Sequence, residues 1–525
     1  MRDEIIKFLK EAIPEKLEIN VNVPEEDRLG HYSTNVAFKL AKERKKNPFA
    51  VAHNIAEELH KIISEGIFHH IEVAEPGFIN FWISEKALQS ELQNILEKKS
   101  ARGGSALGRK IQVEYVSANP TGPLTLANGR GGFLGDVLSN VLEWAGYKVE
   151  REYYVNDTGN QVLTLGKSIL AASGLTKNEE SFYKGSYIKS WANKHKAILK
   201  KNKDKPLKLG QVAAADFLKS IKSSLKKADI KFNRYTSEEK NIHKKGFVDK
   251  ALKEFKNKKL VYKKEGAEWL KTTNFHDDKD RVVITSDGYP TYFLADAGHY
   301  LETKLRGFDT KVLILGPDHY GYVSRIQAAA EILGLKNSKI IITQAIRLTK
   351  EGKEVKMSKR SGEFETFEEL LKEVGVDSAR FFFLMHSPNT HMDFDLALAK
   401  ERSVKNPVYY VQYAYVRALN IIKKSKSISG TPDLTRLTSA EDINLIRKLV
   451  QFEEVMPETA KDYEVQRLTR YASELAHSFH NFYEKERVVG EEKETAKARL
   501  ALVKGTETTF LKLFKILGIS APKKM

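Results

Sequence analysis

The chain has 525 residues, of which 41% are hydrophobic and 30% charged, so two to four globular domains of about 100–200 residues each are expected. It contains no cysteine and no run of about 18 uncharged apolar residues, which excludes disulfides, thiolate zinc sites, a cysteine nucleophile and a membrane-spanning helix. The formal net charge of +18 predicts either a polyanionic partner or a lysine-rich solvated surface, and composition does not choose between them.

The amino-terminal part of the chain mixes helical and strand patterns. Residues 1–10 contain acids where a signal peptide would be basic and then apolar, so a cytoplasmic protein is expected. The stretch IEVAEPGFINFWIS alternates between apolar and polar residues around Pro76-Gly77, which predicts two paired strands. Residues 97–110 are charged and then rich in glycine and serine, as linkers are. We therefore predict an α+β domain at 1–100.

Residues 106–400 are predicted to form a Rossmann-like α/β domain. KIQVEYVS has the character of a strand, SANPTGPLTLANGRGG that of a loop, the segment from Phe133 to Leu142 the apolar spacing of a helix, and YKVEREYYV that of a second strand. This order is typical of half of a nucleotide-binding fold. The strands KVLILG and KIIITQA, separated by the helix SRIQAAAEILG, extend it. A lysine-rich, mostly helical insertion is predicted at about 165–280.

Residues 401–525 differ from the rest of the chain because strand patterns are missing there. Apolar residues recur every 3.6 positions, for example in NPVYYVQYAYVRALNII and VQRLTRYASELAHSFHNFY. This periodicity predicts an all-α bundle. The chain is thus expected to consist of three domains, with the α/β domain in the middle.

A short cationic segment follows the last strand of the α/β domain. Lys356-Met357-Ser358-Lys359-Arg360 places three cations in a loop, which suits a polyphosphate whose charge grows as pyrophosphate leaves. A solvated basic loop is the commoner explanation of such a cluster. The pentapeptide as a whole, however, is similar to the second signature of class I aminoacyl-tRNA synthetases, and it stands where that class carries it.

Class I synthetases carry their first signature, His-x-Gly-His, at the first turn from strand to helix. The matching residues here are Thr125, Leu126, Ala127 and Asn128, followed by Gly129, so both histidines are absent. The replacement resembles the Thr-Ile-Gly-Asn form of tryptophanyl-tRNA synthetases. A threonine hydroxyl and an asparagine amide can donate hydrogen bonds to phosphate, and a helix N-terminus adds backbone N–H groups. A degenerate, inactive site is the alternative.

Several longer stretches resemble one family of that class, the arginyl-tRNA synthetases. They include VEYVSANPTGPLTLANGRGGFLGDV, YPTYFLADAGHY, LRGFDTKVLILGPDHYGYVSR, NPVYYVQYAYVRA and the ending LGISAPKKM. The amino-terminal HYSTNVAFKLAKERKKNPFAVA and VAEPGFINF resemble that family's additional domain, which is implicated in contacting the D-loop region of tRNA. The resemblance covers the whole chain and implies a Rossmann-like catalytic domain followed by a helical anticodon-binding domain.

The resemblance also implies an activity, that of an arginine–tRNA ligase. Such an enzyme uses ATP, accompanied by Mg²⁺, to convert L-arginine to arginyl-adenylate, and transfers arginine to the 3′-terminal ribose of tRNA-Arg. Bound tRNA is expected to be required for the first step, and the family is commonly monomeric. The implied ATP-binding residues are Thr125, Ala127, Asn128, Gly129, Lys356, Met357, Ser358 and Lys359. Catalysis is assigned to Thr125, Asn128, Lys356 and Lys359, and no metal site within the protein is expected.

The residues expected to bind arginine come from three places in the α/β domain. A guanidinium prefers carboxylates in a forked arrangement together with aromatic or hydroxyl contacts. Pro290 suits the first turn of a helix, which places Tyr292 and Asp296 on one face. Glu114 lies near the end of the first strand, and Asn119 follows in the loop, where it could hold the α-amino group. By resemblance these four side chains bind arginine, although Tyr292 alone would indicate core packing and Asp296 a surface charge.

Candidate tRNA contacts lie in the helical domain. Tyr410 and Tyr413 are three apart on one predicted helix, where aromatic rings can stack on splayed bases. By resemblance these tyrosines and the terminal Met525 contact the anticodon loop, with core packing as the alternative for the rings. The roles of the residues from Asp318 to Tyr320, after the strand KVLILG, are left open.

Two other functions are compatible with parts of the sequence. The spacing of Gly129, Gly131 and Gly135 invites comparison with a dinucleotide-dependent oxidoreductase, but a glycine triplet alone is weak evidence. The long proline-containing loop before it also departs from that pattern. The second alternative is a tRNA-binding relative whose catalysis weakened or disappeared with the histidines.

Overall fold

The computed structural model describes residues 1–24, 26–63, 66–97, 106, 108–335, 337–350, 352–354 and 366–525. Its α-helices are α1 (Arg2–Ala12), α2 (Val36–Arg44), α3 (Pro48–Ile62), α4 (Glu85–Leu96), α5 (Leu126–Trp144), α6 (Gly159–Ala172), α7 (Ser186–Lys194), α8 (Lys196–Lys201), α9 (Pro206–Lys227), α10 (Phe247–Asn257), α11 (Tyr292–Leu305), α12 (Val323–Ile332), α13 (Phe367–Val374), α14 (Val376–Leu384), α15 (Leu396–Lys400), α16 (Pro407–Lys424), α17 (Ala440–Asp462), α18 (Gln466–Lys485) and α19 (Lys493–Leu517). Its strands are β1 (Val21–Asn22), β2 (Tyr32–Thr34), β3 (Phe68–Ala74), β4 (Phe78–Ile83), β5 (Lys110–Glu114), β6 (Lys148–Val155), β7 (Arg234–Ser237), β8 (Val261–Lys264), β9 (Ala267–Leu270), β10 (Arg281–Ile284), β11 (Thr310–Leu315), β12 (Lys339–Ile342), β13 (Ile346–Lys350), β14 (Lys353–Glu354) and β15 (Met392–Asp395). None of these helices combines the length and apolarity needed to cross a lipid bilayer.

The amino-terminal part contains a four-stranded antiparallel sheet in the order β1-β2-β4-β3, packed with α1, α2 and α3. In β3 and β4, Val73 lies opposite Ile79, which confirms the strand pair predicted around Pro76-Gly77. Ile79 and Phe81 are fully buried and join the apolar face of α3 in one core. The mixture of strand and helix patterns is therefore an α+β unit.

The central part is a parallel sheet in the order β12-β11-β5-β6-β7. The predicted strands KIQVEYVS, YKVEREYYV, KVLILG and KIIITQA become β5, β6, β11 and β12, so the nucleotide-binding topology is confirmed. The edge strand β7 comes from the range 165–280, which was predicted to be mostly helical. Strand β7 has only four residues, too few to produce a recognisable alternation among lysine-rich helices.

Helix α5 begins earlier than the apolar spacing predicted. The segment ANGRGG was expected in a loop, with the helix starting at Phe133, but the helix starts at Leu126. The glycines serve close packing within the helix, because a Cβ at Gly129 would overlap the ring of Phe367 and one at Gly135 the ring of Tyr115. Glycine is expensive in a helix unless contact of this kind requires it.

The rest of the range 165–280 forms two smaller units beside the central sheet. Helices α6, α7 and α9 share an apolar core, and α6 and α9 approach closely where Gly166 meets Gly210. The antiparallel sheet β10-β9-β8 packs with α10, α11 and α12 in a second core. The second core also includes Leu313, Ile340 and Ile342 of β11 and β12, so it packs on the central sheet.

A buried arginine fixes α5 to the strands beyond the central sheet. Arg130 is 2% exposed and donates to the backbone carbonyls of Gln344, Ser387 and Thr390 at 2.8, 2.9 and 3.0 Å. Gln344 precedes β13 and Thr390 precedes β15, which pairs in parallel with β13. Helix α5 and this small sheet are therefore held in a fixed relation.

Helices α16 to α19 form the carboxyl-terminal bundle, as their periodicity predicted, and α17 and α19 also pack on α4 and α5. Arg380, in α14, is fully buried where these parts meet. Its guanidinium lies 2.7 Å from the buried carboxylate of Asp136 in α5 and donates to the carbonyls of Ala228, after α9, and Leu517, at the end of α19. One side chain thus joins three parts of the chain.

Candidate active site

The carboxyl ends of β5, β6 and β11 meet at one edge of the central sheet, where parallel sheets bind their ligands. The chain leaving β5 turns sharply, with φ of +66° at Val116 and +37° at Ser117. A β-branched residue rarely adopts this conformation, and such strain is concentrated at functional sites. The Ser117 hydroxyl donates to Glu114 Oε1 at 3.0 Å and accepts from the Tyr154 N–H at 3.0 Å. The turn thereby holds Glu114 at the floor of a crevice.

The start of α5 forms one side of this crevice. Thr125 is the N-cap, and its hydroxyl donates to Asn128 Oδ1 at 2.8 Å, while the Asn128 N–H approaches Thr125 Oγ1 at 3.4 Å. Among the described residues, the Asn128 amide nitrogen and the backbone N–H groups of Leu126 and Ala127 have no acceptor, so they can donate to an anion, which the helix dipole favours. Thr125 thus acts on the site through Asn128.

Four predicted ATP-binding residues lie outside the described residues: Lys356, Met357, Ser358 and Lys359. The described chain before them ends in the hairpin of β13 and β14, and it resumes at Thr366, the N-cap of α13. The next residue, Phe367, donates its N–H to the Leu124 carbonyl at 2.9 Å, and its buried ring rests on Gly129. The described chain therefore resumes beside the start of α5.

Helix α11 forms the opposite side of the crevice and carries Tyr292 and Asp296 one turn apart. Pro290 was expected in the first turn of the helix, but it lies two positions before the first helical residue, Tyr292, and just before the N-cap residue Thr291. Tyr292 is 67% exposed, and its ring faces Gly159 at the start of α6. The ring is therefore available to a ligand, unlike a core tyrosine.

The surroundings of Asp296 change its pKa strongly. Burial, and then the negative charges of Glu238 and Glu114, raise the pKa of Asp296 to about 7. A hydrogen bond from Tyr322 and the charge of Lys311 oppose this rise. A cation placed against Asp296 would add to the positive charge of Lys311 and favour the ionised carboxylate.

The other loop residues singled out by sequence lie at the same edge of the sheet. The side-chain oxygen Oδ1 of Asn119 accepts a hydrogen bond from the side-chain Nδ2 of Asn156 at 2.7 Å. This contact orients the side-chain nitrogen of Asn119 toward another acceptor. Asp318, His319 and Tyr320 lie in a 3₁₀ turn after β11, and Tyr320 is 75% exposed. Their position at the carboxyl edge agrees with the prediction, and their roles stay open.

Glu114 belongs to a buried cluster of ionisable side chains that we call the charge row: Glu114, Lys311, Glu152 and His299. The Lys311 Nζ atom lies 2.7 Å from Glu114 Oε2 and 3.3 Å from Glu152 Oε2. His299 Nε2 lies 3.0 Å from Glu152 Oε2. Oxygen and nitrogen atoms of Glu114, Glu152 and His299 come within 4.8 Å of one another, a spacing open to a metal ion, but the Lys311 ammonium already contacts both carboxylates.

Sequence reasoning missed three residues of the crevice: Tyr154, Glu238 and Tyr322. Within the described residues, the buried Tyr154 hydroxyl has no hydrogen-bond partner, and its ring stacks on His299 at 4.3 Å. Burial raises the pKa of Glu238, which follows the unrecognised strand β7. Tyr322 lies two residues beyond Tyr320 in the same turn, so position after β11 could have identified it.

The predicted tRNA-binding tyrosines lie on one face of α16. The rings of Tyr410 and Tyr413 are 4.6 and 5.8 Å from the His480 ring of α18. The guanidinium of Arg417 lies 4.4 Å from the centre of the Tyr413 ring. Both tyrosines are half-buried, and Met525 is 44% exposed. This is an aromatic and cationic surface rather than a closed core.

Two further surfaces lie outside the crevice. In the amino-terminal sheet, a cavity of about 450 Å³ is bordered by Phe78 and by Asn80, whose buried Oδ1 atom has no partner among the described residues. In residues 184–208, one acid, Asp204, accompanies nine exposed lysines, which we call the lysine surface. Its lysines are Lys184, Lys189, Lys194, Lys196, Lys200, Lys201, Lys203, Lys205 and Lys208.

Comparison with known proteins identifies three consecutive matches to family models. Residues 1–83 match the arginyl tRNA synthetase N terminal domain, residues 91–391 the catalytic domain of class I (R) tRNA synthetases, and residues 411–525 the DALR anticodon binding domain. The catalytic-domain match alone spans more than half of the chain and supports the ligase over the oxidoreductase alternative.

Individual relatives agree with these models. The arginine–tRNA ligase of Staphylococcus carnosus is 38% identical over 98% of this chain and 96% of its own length. That of Citrifermentans bemidjiense is 40% identical over 97% and 95%. The solved structure of Thermus thermophilus arginyl-tRNA synthetase matches with a TM-score of 0.80 at 21% identity, covering the whole of both chains. On the family models and the full-length relatives together, the chain belongs to the arginyl-tRNA synthetases.

Proposed function

We propose that the crevice between α5 and α11 activates L-arginine with ATP and that the chain then transfers the arginine to tRNA-Arg. The observation that carries this proposal is the half-buried Asp296, which lies near the acids Glu238 and Glu114 and opposite the start of α5. There the N–H groups of Leu126 and Ala127 donate to no acceptor among the described residues. Tyr292, Glu114 and Asn119 would complete the arginine site. A cationic side chain and an anionic phosphate would thus bind on opposite sides of one crevice.

In the first step, an oxygen of the arginine carboxylate attacks the α-phosphorus of ATP and pyrophosphate leaves, giving arginyl-adenylate. Asn128 and the N–H groups at the start of α5 hold the phosphates, and Lys356 and Lys359 stabilise the charge on the leaving pyrophosphate. Mg²⁺ enters with the ATP, and no protein ligand is assigned to it. In the second step, a terminal ribose hydroxyl of the tRNA, the 2′-OH in class I enzymes, attacks the adenylate carbonyl and AMP leaves.

The tRNA would contact all three predicted domains, 1–100, 106–400 and 401–525. The aromatic face of α16 with Met525 suits the anticodon loop, and the Asn80 cavity suits an unpaired base of the D-loop region. The lysine surface gives the net charge of +18 a local explanation, since its lysines form no ion pair with other described residues and would meet tRNA phosphates. A monomer in the cytoplasm is part of the proposal.

Charging of tRNA-Arg with each standard amino acid tests the proposed function. We expect arginine alone to be attached, and we expect arginine-dependent exchange of pyrophosphate into ATP to require tRNA-Arg. The measurement is incorporation of labelled amino acid into acid-precipitable tRNA. Binding of tRNA-Arg without charging would instead support the catalytically weakened relative.

Replacing Lys359 by alanine is expected to lower the aminoacylation rate about a hundred-fold or more, because the substitution removes one positive charge that stabilises the leaving pyrophosphate. The KM for arginine should stay within about two-fold, since the proposed arginine-binding residues lie on α11, on β5 and in the loop after β5. Steady-state charging assays measure both. Lys339→Ala, at the amino end of β12 and exposed, is the matched control. An unchanged rate in Lys359→Ala would show that this lysine does not take part.

A further inference from the structure

Lys311 is a fully buried cation to which the proposed reaction assigns no role. It lies near the start of β11, and its ammonium donates to Gln112 Oε1 at 2.8 Å as well as contacting Glu114 and Glu152. It also lies 5.1 Å from the centre of the Tyr300 ring. Burial alone would lower the pKa of Lys311, but the charges of Glu114 and Glu152 raise it, so the side chain is an ammonium.

The two carboxylates that Lys311 joins differ in their other partners. Glu152 also contacts His299, Arg234 and the hydroxyl of Thr236, so it keeps several donors without Lys311. Glu114 is different. Among the described residues, its hydrogen-bonding contacts are Lys311 at 2.7 Å and the Ser117 hydroxyl at 3.0 Å, and His299 Nδ1 is farther, at 3.8 Å. Loss of Lys311 would therefore affect Glu114 most.

We propose that Lys311 is a positioning residue for arginine recognition, which fixes the Glu114 carboxylate at the floor of the crevice so that Glu114 and Asp296 meet the guanidinium in a preset arrangement. The inference rests on the proposed function of this crevice. The positive charge of Lys311 also opposes the rise in the pKa of Asp296 that burial and the charges of Glu238 and Glu114 cause. A site whose charges are already oriented spends less of the ligand's binding free energy on reorganisation.

The test compares three variants of the full-length enzyme: Lys311→Met, Glu152→Gln and the double variant. Lys311→Met should raise the KM for arginine about 30-fold, with kcat and the KM for ATP within about three-fold. Glu152→Gln should leave the KM for arginine near the wild-type value, because Glu114 keeps its ammonium. The double variant removes a buried charge pair together, so it should fold and still show the raised KM.

The outcomes show whether Lys311 orients the Glu114 carboxylate or only neutralises the buried acids around it. If the double variant restores the KM for arginine, or if Glu152→Gln raises it as much as Lys311→Met, the proposal is overturned. If Lys311→Met does not fold, the KM for arginine of the double variant is compared with that of Glu152→Gln. Thermal unfolding of each variant checks that it is folded. A wild-type enzyme that does not charge arginine would refute the proposed function itself, which is a separate result.

Discussion

Asp296→Asn is expected to reduce kcat/KM for arginine about a thousand-fold, since removing one partner of a partly buried charge pair costs about 2–5 kcal/mol. Asparagine keeps the size of the side chain and its place on α11, so the loss should reflect charge alone. The KM for ATP should change little, because the ATP site is assigned to α5. Steady-state charging at varied arginine concentrations measures the effect.

The same carboxyl should give the enzyme a pH dependence. Its pKa in the empty crevice is raised to about 7, so at lower pH a growing fraction is protonated and must lose its proton before the guanidinium binds. The KM for arginine should therefore fall as pH rises from 6 to 8 in the wild type, and this slope should flatten in Asp296→Asn. Asp309→Asn, an exposed acid at the other end of β11, should keep both the slope and kcat/KM. A flat wild-type profile would contradict the assignment.

Arg380→Met is expected to lower the free energy of unfolding by about 3–5 kcal/mol. The substitution leaves the carboxylate of Asp136, 2% exposed, without its guanidinium and deprives the carbonyls of Ala228 and Leu517 of donors. Because these groups belong to α5, to the residue after α9 and to α19, the loss should loosen the junction between catalytic core and bundle. Denaturant unfolding followed by tryptophan fluorescence measures it.

Two further variants separate charge from packing at this junction. Arg470→Met removes an exposed ion pair with Glu474 and should cost less than about 1 kcal/mol. Asp136→Asn combined with Arg380→Met removes the unpaired charge and should recover part of the loss. A stability of Arg380→Met equal to that of Arg470→Met would mean that the buried pair contributes nothing measurable.

The sequence predicted best where one period dominates a segment. Strands β5, β6, β11 and β12 and the helices of the bundle have clear apolar periods, and their burial follows from them. Strand β7 was not predicted because its four residues are too few to show an alternating pattern. The start of α5 was placed too late because its glycines, which usually favour loops, here allow close packing against aromatic rings. Tertiary contact, which no local pattern records, decided both.

Charged residues were harder to place than apolar ones. Lys311 and Arg380 have the composition of surface residues, yet both are fully buried, and their partners come from distant parts of the chain. The positions of Tyr292 and Asp296 on one helix were predicted correctly, whereas Glu238 and Tyr322 were not found. The residues from Lys356 to Lys359 lie outside the described chain, so their place beside ATP stays a prediction.

If arginine binds as proposed, the charge row predicts how the enzyme distinguishes arginine from similar amino acids. Within the charge row the signs alternate from Glu114 through Lys311 to Glu152, and Arg234, outside the row, contacts Glu152 at 3.5 Å. A bound guanidinium would add a positive charge on the other side of Glu114. Citrulline has nearly the shape of arginine but is neutral, so it would bring no positive charge to Asp296, which burial and the charges of Glu238 and Glu114 already disfavour as an anion. The enzyme would need no steric barrier to reject citrulline, because a buried carboxylate left without its cationic partner weakens binding.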